Sequence, residues 1–403
     1  MNHSTNHPLI PNSQEYMLEK KYISINSEDI DCLKYPSTSD FIIELPQDYC
    51  NVQGIKLSSW AFPSNLDVFS KKQNNVTMSF KINSPYNPGE YMNPDPLLNV
   101  MFAGLYAHIN TDFIITIEDG IYTDEQLSTE LTNRFNAVVT DYLVGYITTN
   151  SPSLLPLFIV NGYDQFVIAY NKVTQKLWFG NKSSGFILTN DSSIYSPINT
   201  NNCLNSHTLD SFVKWGLPAY LGFTRVPEVS TPSINGILPR FYYGDVKSGD
   251  NGFWLVPDSQ YIGASVYYLE ALCKLNLLGH LFFYMEVHGM NTIDETIPFV
   301  NNKFTSQTNE TNGVVNASFA KILISNTLSS YSWLTADYSV LKVYNPPAER
   351  IRKLKVKFRY HNGELVNFGN LNYSVMLELM MFRSQNNTKT KMYIPESTQY
   401  NFN

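Results

Sequence analysis

The sequence predicts an all-β chain with a few helical insertions, and three observations carry that prediction. Between Lys353 and Tyr360 the residues alternate strictly, with Leu354, Val356, Phe358 and Tyr360 on one side and Lys353, Lys355, Lys357 and Arg359 on the other, the period-two pattern of a half-buried strand. From Phe158 to Leu188, runs rich in Phe, Tyr, Val and Ile are broken by turn residues about every ten positions, which is the spacing of a β-meander rather than of alternating strands and helices. One segment, Asp124 to Tyr142, carries Leu127, Leu131, Phe135 and Val138 or Val139 at helical spacing, an amphipathic helix with one apolar stripe to lay on a sheet.

Taken in order, residues 1–18 are polar, hold two prolines and show no periodicity, so they read as a flexible N-terminal arm. Residues 19–403 form the body, with a candidate subdivision near 150–160. Tyr22 to Asn26 is a short strand followed by a polar turn, Ser27 to Asp31. Asp40 to Pro46 and Val52 to Phe62 are two further strands, each ended by a proline. Val76 to Ile82 places Val76, Met78, Phe80 and Ile82 on one face. Pro85 to Pro96 is a loop, and Leu97 to Ile109 fits a short helix or a strand. Asp112 to Ile117 alternates into the turn Glu118-Asp119-Gly120. Thr123 followed by Gln126 is a capping box for the helix that starts there.

In the middle, Phe166 to Tyr170 and Lys176 to Phe179 are strands punctuated by Asn171 to Thr174 and by Gly180-Asn181. Trp215-Gly216-Leu217 to Leu221-Gly222-Phe223 is an aromatic plug whose glycines serve close backbone approach. Phe253 to Pro257, Tyr267 to Leu278, Leu281 to Val287 and Ala317 to Ser325 are β-prone, and Asn301 to Asn312 is a polar loop. Asn362-Gly363 ends the basic strand with the strongest short-range hairpin signal, since a type I′ turn needs positive φ at both central positions. Asn372 to Phe382, apolar on nearly both faces, is an interior strand.

Aromatic residues make up 14% and charged residues 16% of the chain, where about a quarter charged is usual. The surface is therefore largely Asn, Ser, Thr and Tyr, or partly hidden in protein contacts. A net charge of −7 argues against a general nucleic-acid binder, which needs clustered positive charge to displace counterions. No apolar run approaches the ~18 to 20 residues of a membrane helix, and Met1 to Gln14 has no apolar signal core; a soluble chain made in a cytoplasm is expected. Cys32, Cys50, Cys203 and Cys273 form no Cys-x-x-Cys pair and have no His at metal-site spacing, so buried free thiols are expected rather than zinc ligands.

No catalytic constellation stands out. Glu28, Asp29 and Asp31 offer oxygens for calcium but lack the glycine and terminal Glu of a calcium loop. His280, Glu286 and His288 lie on or beside one apolar strand, where Glu286 and His288 share a face with Tyr284, and they read as a structural pair without a third placed ligand. Asp294 and Glu295 are adjacent acids in a polar loop with no geometry to assign them. Phosphate-loop, nucleophile-elbow and dinucleotide glycine motifs are absent from the sequence, and neither a cofactor nor an enzymatic activity is expected.

Four groups of residues together support a family resemblance. The opening runs Tyr22 to Ser27 with Asp29 and Asp31, then Asp40-Phe41, Leu45-Pro46, Asn51-Val52 and Phe62-Pro63. The strand, turn and capped helix around residues 110–145 come next, and Trp215 to Phe223 follow. The closing stretch runs Tyr344-Asn345-Pro346-Pro347, Arg350 to His361, Asn362-Gly363, Val366-Asn367-Phe368 and Asn372 to Leu379. In this order they resemble the minor capsid proteins of nucleocytoplasmic large DNA viruses. The chain departs from the family pattern at Glu28 and Asp29, where basic residues are usual.

The resemblance implies a virion protein, assembled in host cytoplasm, that cements or underlies the major capsid lattice of a large icosahedral virus. Its partners would be the major capsid protein, other minor capsid proteins and copies of itself. The fold expectation is a jelly-roll-type β-sandwich, one enlarged roll or two. The alternative is a virion surface β-protein that binds host glycans or a receptor through exposed Tyr and Trp. The candidate subunit interface is the row Lys353, Lys355, Lys357 and Arg359: like charges about 7 Å apart on one strand face serve either as a solvated edge or as a seam against an acidic neighbour.

Overall fold

The structure is a computed structural model that describes residues 18–87, 93–195, 215–233, 240–241, 253–261, 263–297, 314–324, 331–333, 340–361 and 363–382. The class is the one predicted: mostly β, in antiparallel sheets with helical insertions. The chain forms two compact units. Among the described residues the first gathers those within 18–65, 280–297 and 314–382, and the second those within 66–279. Among the described residues the chain crosses between them at Asn65/Leu66 and Gly279/His280, and residues 150–160 lie inside the second unit. The N-terminal arm, Cys203, the Asn301–Asn312 loop and Asn362 lie outside the described residues.

In the first unit one antiparallel sheet runs in the order Leu18–Asn26, Ser374–Phe382, Asp40–Pro63, Leu341–Arg359, Phe282–Val287 and Ala320–Leu323. The first strand thus lies beside the last, and the opening and closing motifs are hydrogen-bonded neighbours. Ser374–Phe382 is interior, as expected, with Val375, Leu377 and Leu379 at most 1% exposed. Its other face is less covered than the sequence suggested, since Met376 and Met380 are only half-buried. Tyr331–Trp333 also pairs with Asp40–Pro63, and Ile293–Ile297 pairs with Val314–Ser318 in a separate hairpin.

Two strand boundaries differ from the sequence reading. Asp40–Pro63 is one continuous strand of 24 residues, and Pro46 does not end it. The register with the basic strand shifts between Ile351/Tyr49 and Lys353/Glu44, and this irregularity spans Pro46, whose missing N–H is tolerated where ladder bonds are already interrupted. A second shift, between Val343/Gly54 and Ala348/Val52, takes up Tyr344-Asn345-Pro346-Pro347. Below the sheet, Phe62 packs against Phe283 at 4.9 Å, Phe358 at 5.3 Å, Phe368 at 5.8 Å and Tyr373 at 5.2 Å between ring centroids. Each such pair contributes roughly 0.5–1.5 kcal/mol beyond area burial.

The second unit has two four-stranded sheets: Phe113–Thr116, Thr77–Ser84, Gly185–Leu188, Glu228–Val229; and Phe166–Asn171, Lys176–Asn181, Tyr267–Glu270, Thr231–Pro232. The expected meander is therefore split, with Gly185–Leu188 leaving its neighbours for the other sheet. Gly180-Asn181 ends a strand rather than making the turn. The Asn171 turn is as predicted, its side-chain oxygen accepting from the N–H groups of Val173 and Thr174.

The capped helix begins at Asp124 with the predicted reciprocal Thr123/Gln126 hydrogen bonds but continues to Asn150. Leu143 and Ile147 extend the stripe of Leu127, Leu131, Phe135 and Val139, all six 0% exposed, and no proline intervenes before Pro152. Its Thr132 and Asn136 side chains bond the backbone of the Phe166–Asn171 edge strand, satisfying groups that would otherwise face an unpaired edge. Leu97 to Ile109 resolves as a helix, Pro96–Ala107, with Asp95 as N-cap and proline in the first turn, the arrangement proline favours at a helix start.

Candidate subunit interface

The basic strand obeys its sequence pattern. Leu354, Val356, Phe358 and Tyr360 are 0–4% exposed, because the strand lies between Asp40–Pro63 and Phe282–Val287 with one face on the aromatic core. The opposite face meets an acidic counterpart on Asp40–Pro63, where Asp40, Ile42 and Glu44 stand opposite Lys357, Lys355 and Lys353. Lys353 Nζ lies 2.8 Å from Glu44 Oε1, and Lys357 Nζ 3.8 Å from Asp40 Oδ2. The Lys353 ammonium holds the Glu44 carboxyl below its ordinary value through this hydrogen bond and its charge. Farther along, Arg350 and Arg352 reach Asp48 at 3.5 and 3.9 Å. Lys355, opposite Ile42, is exposed and makes no ion pair to a described residue.

The row is therefore not four equivalent surface cations. Arg359 leaves it, being 5% exposed. Its guanidinium is bonded to Glu286, lies 2.6 Å (Nη1) from Oε2 of Glu295, and sits 5.3 Å from the Tyr284 ring centroid. Burial works against the charge of Arg359, but its hydrogen bonds to the two carboxylates outweigh this and hold its pKa above the ordinary value. Glu295 also contacts Nδ1 of His361, and His280 stacks on Tyr360 at 4.0 Å. A buried arginine held by two carboxylates does not take part in a surface seam, so the candidate interface contracts to Lys353, Lys355 and Lys357, with Lys355 its one member making no ion pair to a described residue.

The other candidates fall into place as structure. Glu286 is held by Arg359 rather than by His288, which lies just beyond the strand end and donates its backbone N–H to the Lys355 carbonyl. Asp31 accepts from the backbone of Leu33 and Lys34 and serves its local turn, whereas Glu28 accepts from the Asn372 side chain beside the closing strand. Among the described residues no three His, Cys, Asp or Glu side chains are placed to hold a metal ion. Cys32, Cys50 and Cys273 are free but exposed, not buried as expected. No described helix is long and apolar enough to cross a membrane.

The Arg359 cluster was missed in the sequence because its members, Glu286, Glu295, Arg359 and His361, are spread over three segments. The acidic partner of the basic row was legible, since Asp40, Ile42 and Glu44 alternate in the same way as Lys353 to Lys357.

No protein-family model matches the chain, and no curated protein matches it. Among solved structures, the SeMet-labelled mavirus penton protein aligns over 91% of this chain and 99% of its own, at a TM-score of 0.35 and 9% sequence identity. A likeness at that level says nothing of function.

Proposed function

We propose that this chain is a structural, non-catalytic protein of a viral capsid, a minor component that cements or underlies the major lattice through its first unit. The observation that carries the reading is the pairing of the opening and closing motifs as adjacent strands of one sheet, with the charged ladder on its open face. In that ladder Lys353 and Lys357 are braced by acids of the same chain, which fixes their side chains in advance. Lys355 is left free to meet an acidic group of a neighbour. Such charges set register and association rate more than affinity.

The test is incorporation of a Lys355→Glu variant into particles assembled with its co-expressed shell partners, with circular dichroism as the folding control. The expected result is a folded chain that is excluded or strongly depleted from particles. Normal incorporation of the variant, or absence of the native chain from purified particles, contradicts the reading.

A further inference from the structure

The two edges of the first unit's sheet differ. One is Ala320–Leu323, four residues long, and shortness is one way in which a sheet edge is kept from pairing with another chain. The other is Leu18–Asn26, nine residues with no proline and no break in register along its pairing with Ser374–Phe382. No described strand lies on its far side.

The phase of its ladder follows from its end. Ser27 N–H donates to the Tyr373 carbonyl at 3.0 Å, and Ser27 stands opposite Tyr373 by extension of the register that sets Asn26 opposite Ser374. Hydrogen-bonded and non-hydrogen-bonded pairs alternate along an antiparallel ladder, so Ile25, Ile23, Lys21 and Glu19 turn their backbone groups inward to the sheet. Asn26, Ser24, Tyr22 and Lys20 turn theirs outward, where no described residue bonds them. Ile23 and Ile25, 7% and 2% exposed, hold the strand on the core, and Tyr22, 53% exposed, stands on the opposite face.

The charges that would guard this edge are tied back. Lysines on an edge strand repel an incoming strand, but here Lys20 Nζ lies 2.8 Å from Glu378 Oε1 on the neighbouring strand, and Lys21 Nζ lies 2.9 Å from Glu19 Oε1. Two cations are thus matched by two anions, and from Tyr22 to Asn26 the strand carries no charge. A strand of the same sequence meets no net repulsion.

We propose that this edge binds a second copy of the chain, Leu18–Asn26 pairing antiparallel with Leu18–Asn26 about a two-fold axis at Tyr22. Registers centred on Lys20 or Lys21 set a lysine against its own copy, and like charges directly opposite are destabilising. Registers centred beyond Tyr22 leave part of the strand unpaired, whereas centring on Tyr22 pairs all nine residues. Lys20 then faces Ser24 of the second copy, Lys21 faces Ile23, Glu19 faces Ile25, and the two Tyr22 rings meet as a cross-strand aromatic pair. Each outward-turned pair exchanges two hydrogen bonds, and both core faces stay on one side of the joined sheet. The contact uses the sheet's edge rather than its lysine face and does not depend on the capsid role.

The experiment is sedimentation velocity on the full chain over roughly 1 to 300 µM, the range of weak contacts, with circular dichroism as the folding control. The native chain passes from monomer to dimer with concentration. Hydrogen exchange at the Tyr22 and Ser24 amides slows in step, while Ile23 and Ile25 are protected at every concentration. Ser24→Lys sets lysines opposite each other twice across the axis and weakens the dimer severalfold or more; Ser24→Glu, which faces Lys20 instead, does not. Ser24→Pro removes only an outward N–H, so the sheet stands and the dimer is lost. A native chain that stays monomeric overturns the proposal, whether its Tyr22 and Ser24 amides exchange freely or are protected at all concentrations, as they would be under a segment of the same chain. A dimer that Ser24→Lys and Ser24→Glu affect alike overturns it too.

Discussion

Arg359 Nη1 lies 2.6 Å from Oε2 of Glu295, and the two side chains are 6% and 1% exposed. The contact ties the basic strand to the hairpin Ile293–Ile297/Val314–Ser318 inside the first unit. Removing one partner of a buried ion pair strands the other charge and costs about 3–5 kcal/mol. Because Glu286 also holds Arg359, Glu295→Ala is expected at the lower end of that range, read as a shift in the urea midpoint of unfolding. Arg359→Lys keeps the charge but loses the planar fork that serves two carboxylates at once, and it too destabilises. An unchanged midpoint in both variants contradicts this role.

Gly222 has φ +92°, and a Cβ there would stand 2.3 Å from the carbonyl oxygen of Cys273, whose N–H donates to the Gly222 carbonyl at 2.9 Å. The neighbour is backbone and has no rotamer by which to withdraw. Gly222→Ala therefore combines strain with overlap and costs about 3 kcal/mol or more. Gly145, exposed on the long helix with nothing within 4 Å of its would-be Cβ, gives the opposite sign: Gly145→Ala stabilises by about 1 kcal/mol. Thermal unfolding of the two variants separates them, and equal effects would refute the assignment of Gly222 to close backbone approach.

His108 stacks on Phe113 at 4.4 Å and meets Tyr142 edge-on at 4.3 Å, and its Nδ1 is buried without a partner. Burial lowers its pKa below the ordinary 6.5. Below pH 6.5 the unfolded chain then takes up a proton that the folded chain resists, so the unfolded state binds more protons and stability falls as pH falls. The stabilisation is present above pH 6.5 and is lost on descent through the folded value. His108→Phe retains the ring packing, and its melting temperature should fall less than the native chain's between pH 7 and about 5. Parallel curves would show that His108 does not titrate differently in the two states.

The sequence disclosed what local chemistry dictates. The alternation of Val76, Met78, Phe80 and Ile82 and the Thr123/Gln126 box depend on near neighbours, and both stand in the structure as read. Errors arose where a distant partner decided the outcome. Locally Pro46 marks a strand end, whereas the irregular pairing that accommodates it belongs to Ile351–Lys353, some 300 residues away. Arg359 shares its alternation with three surface lysines, and the acids that set it apart, Glu286 and Glu295, come from other strands. The contact of Gln165 with Asp164 and Asp258 has no local signature, since the two acids stand 94 positions apart in the chain.

The claim on which the rest depends is that the open face of the first unit's sheet is a contact surface between chains. Amine-reactive cross-linking of purified particles, read by mass spectrometry, addresses it directly. The account predicts cross-links from Lys355, and from its braced neighbour Lys353, to a different chain of the shell. Particles that contain this chain but give only intramolecular cross-links at Lys353 and Lys355 would contradict it.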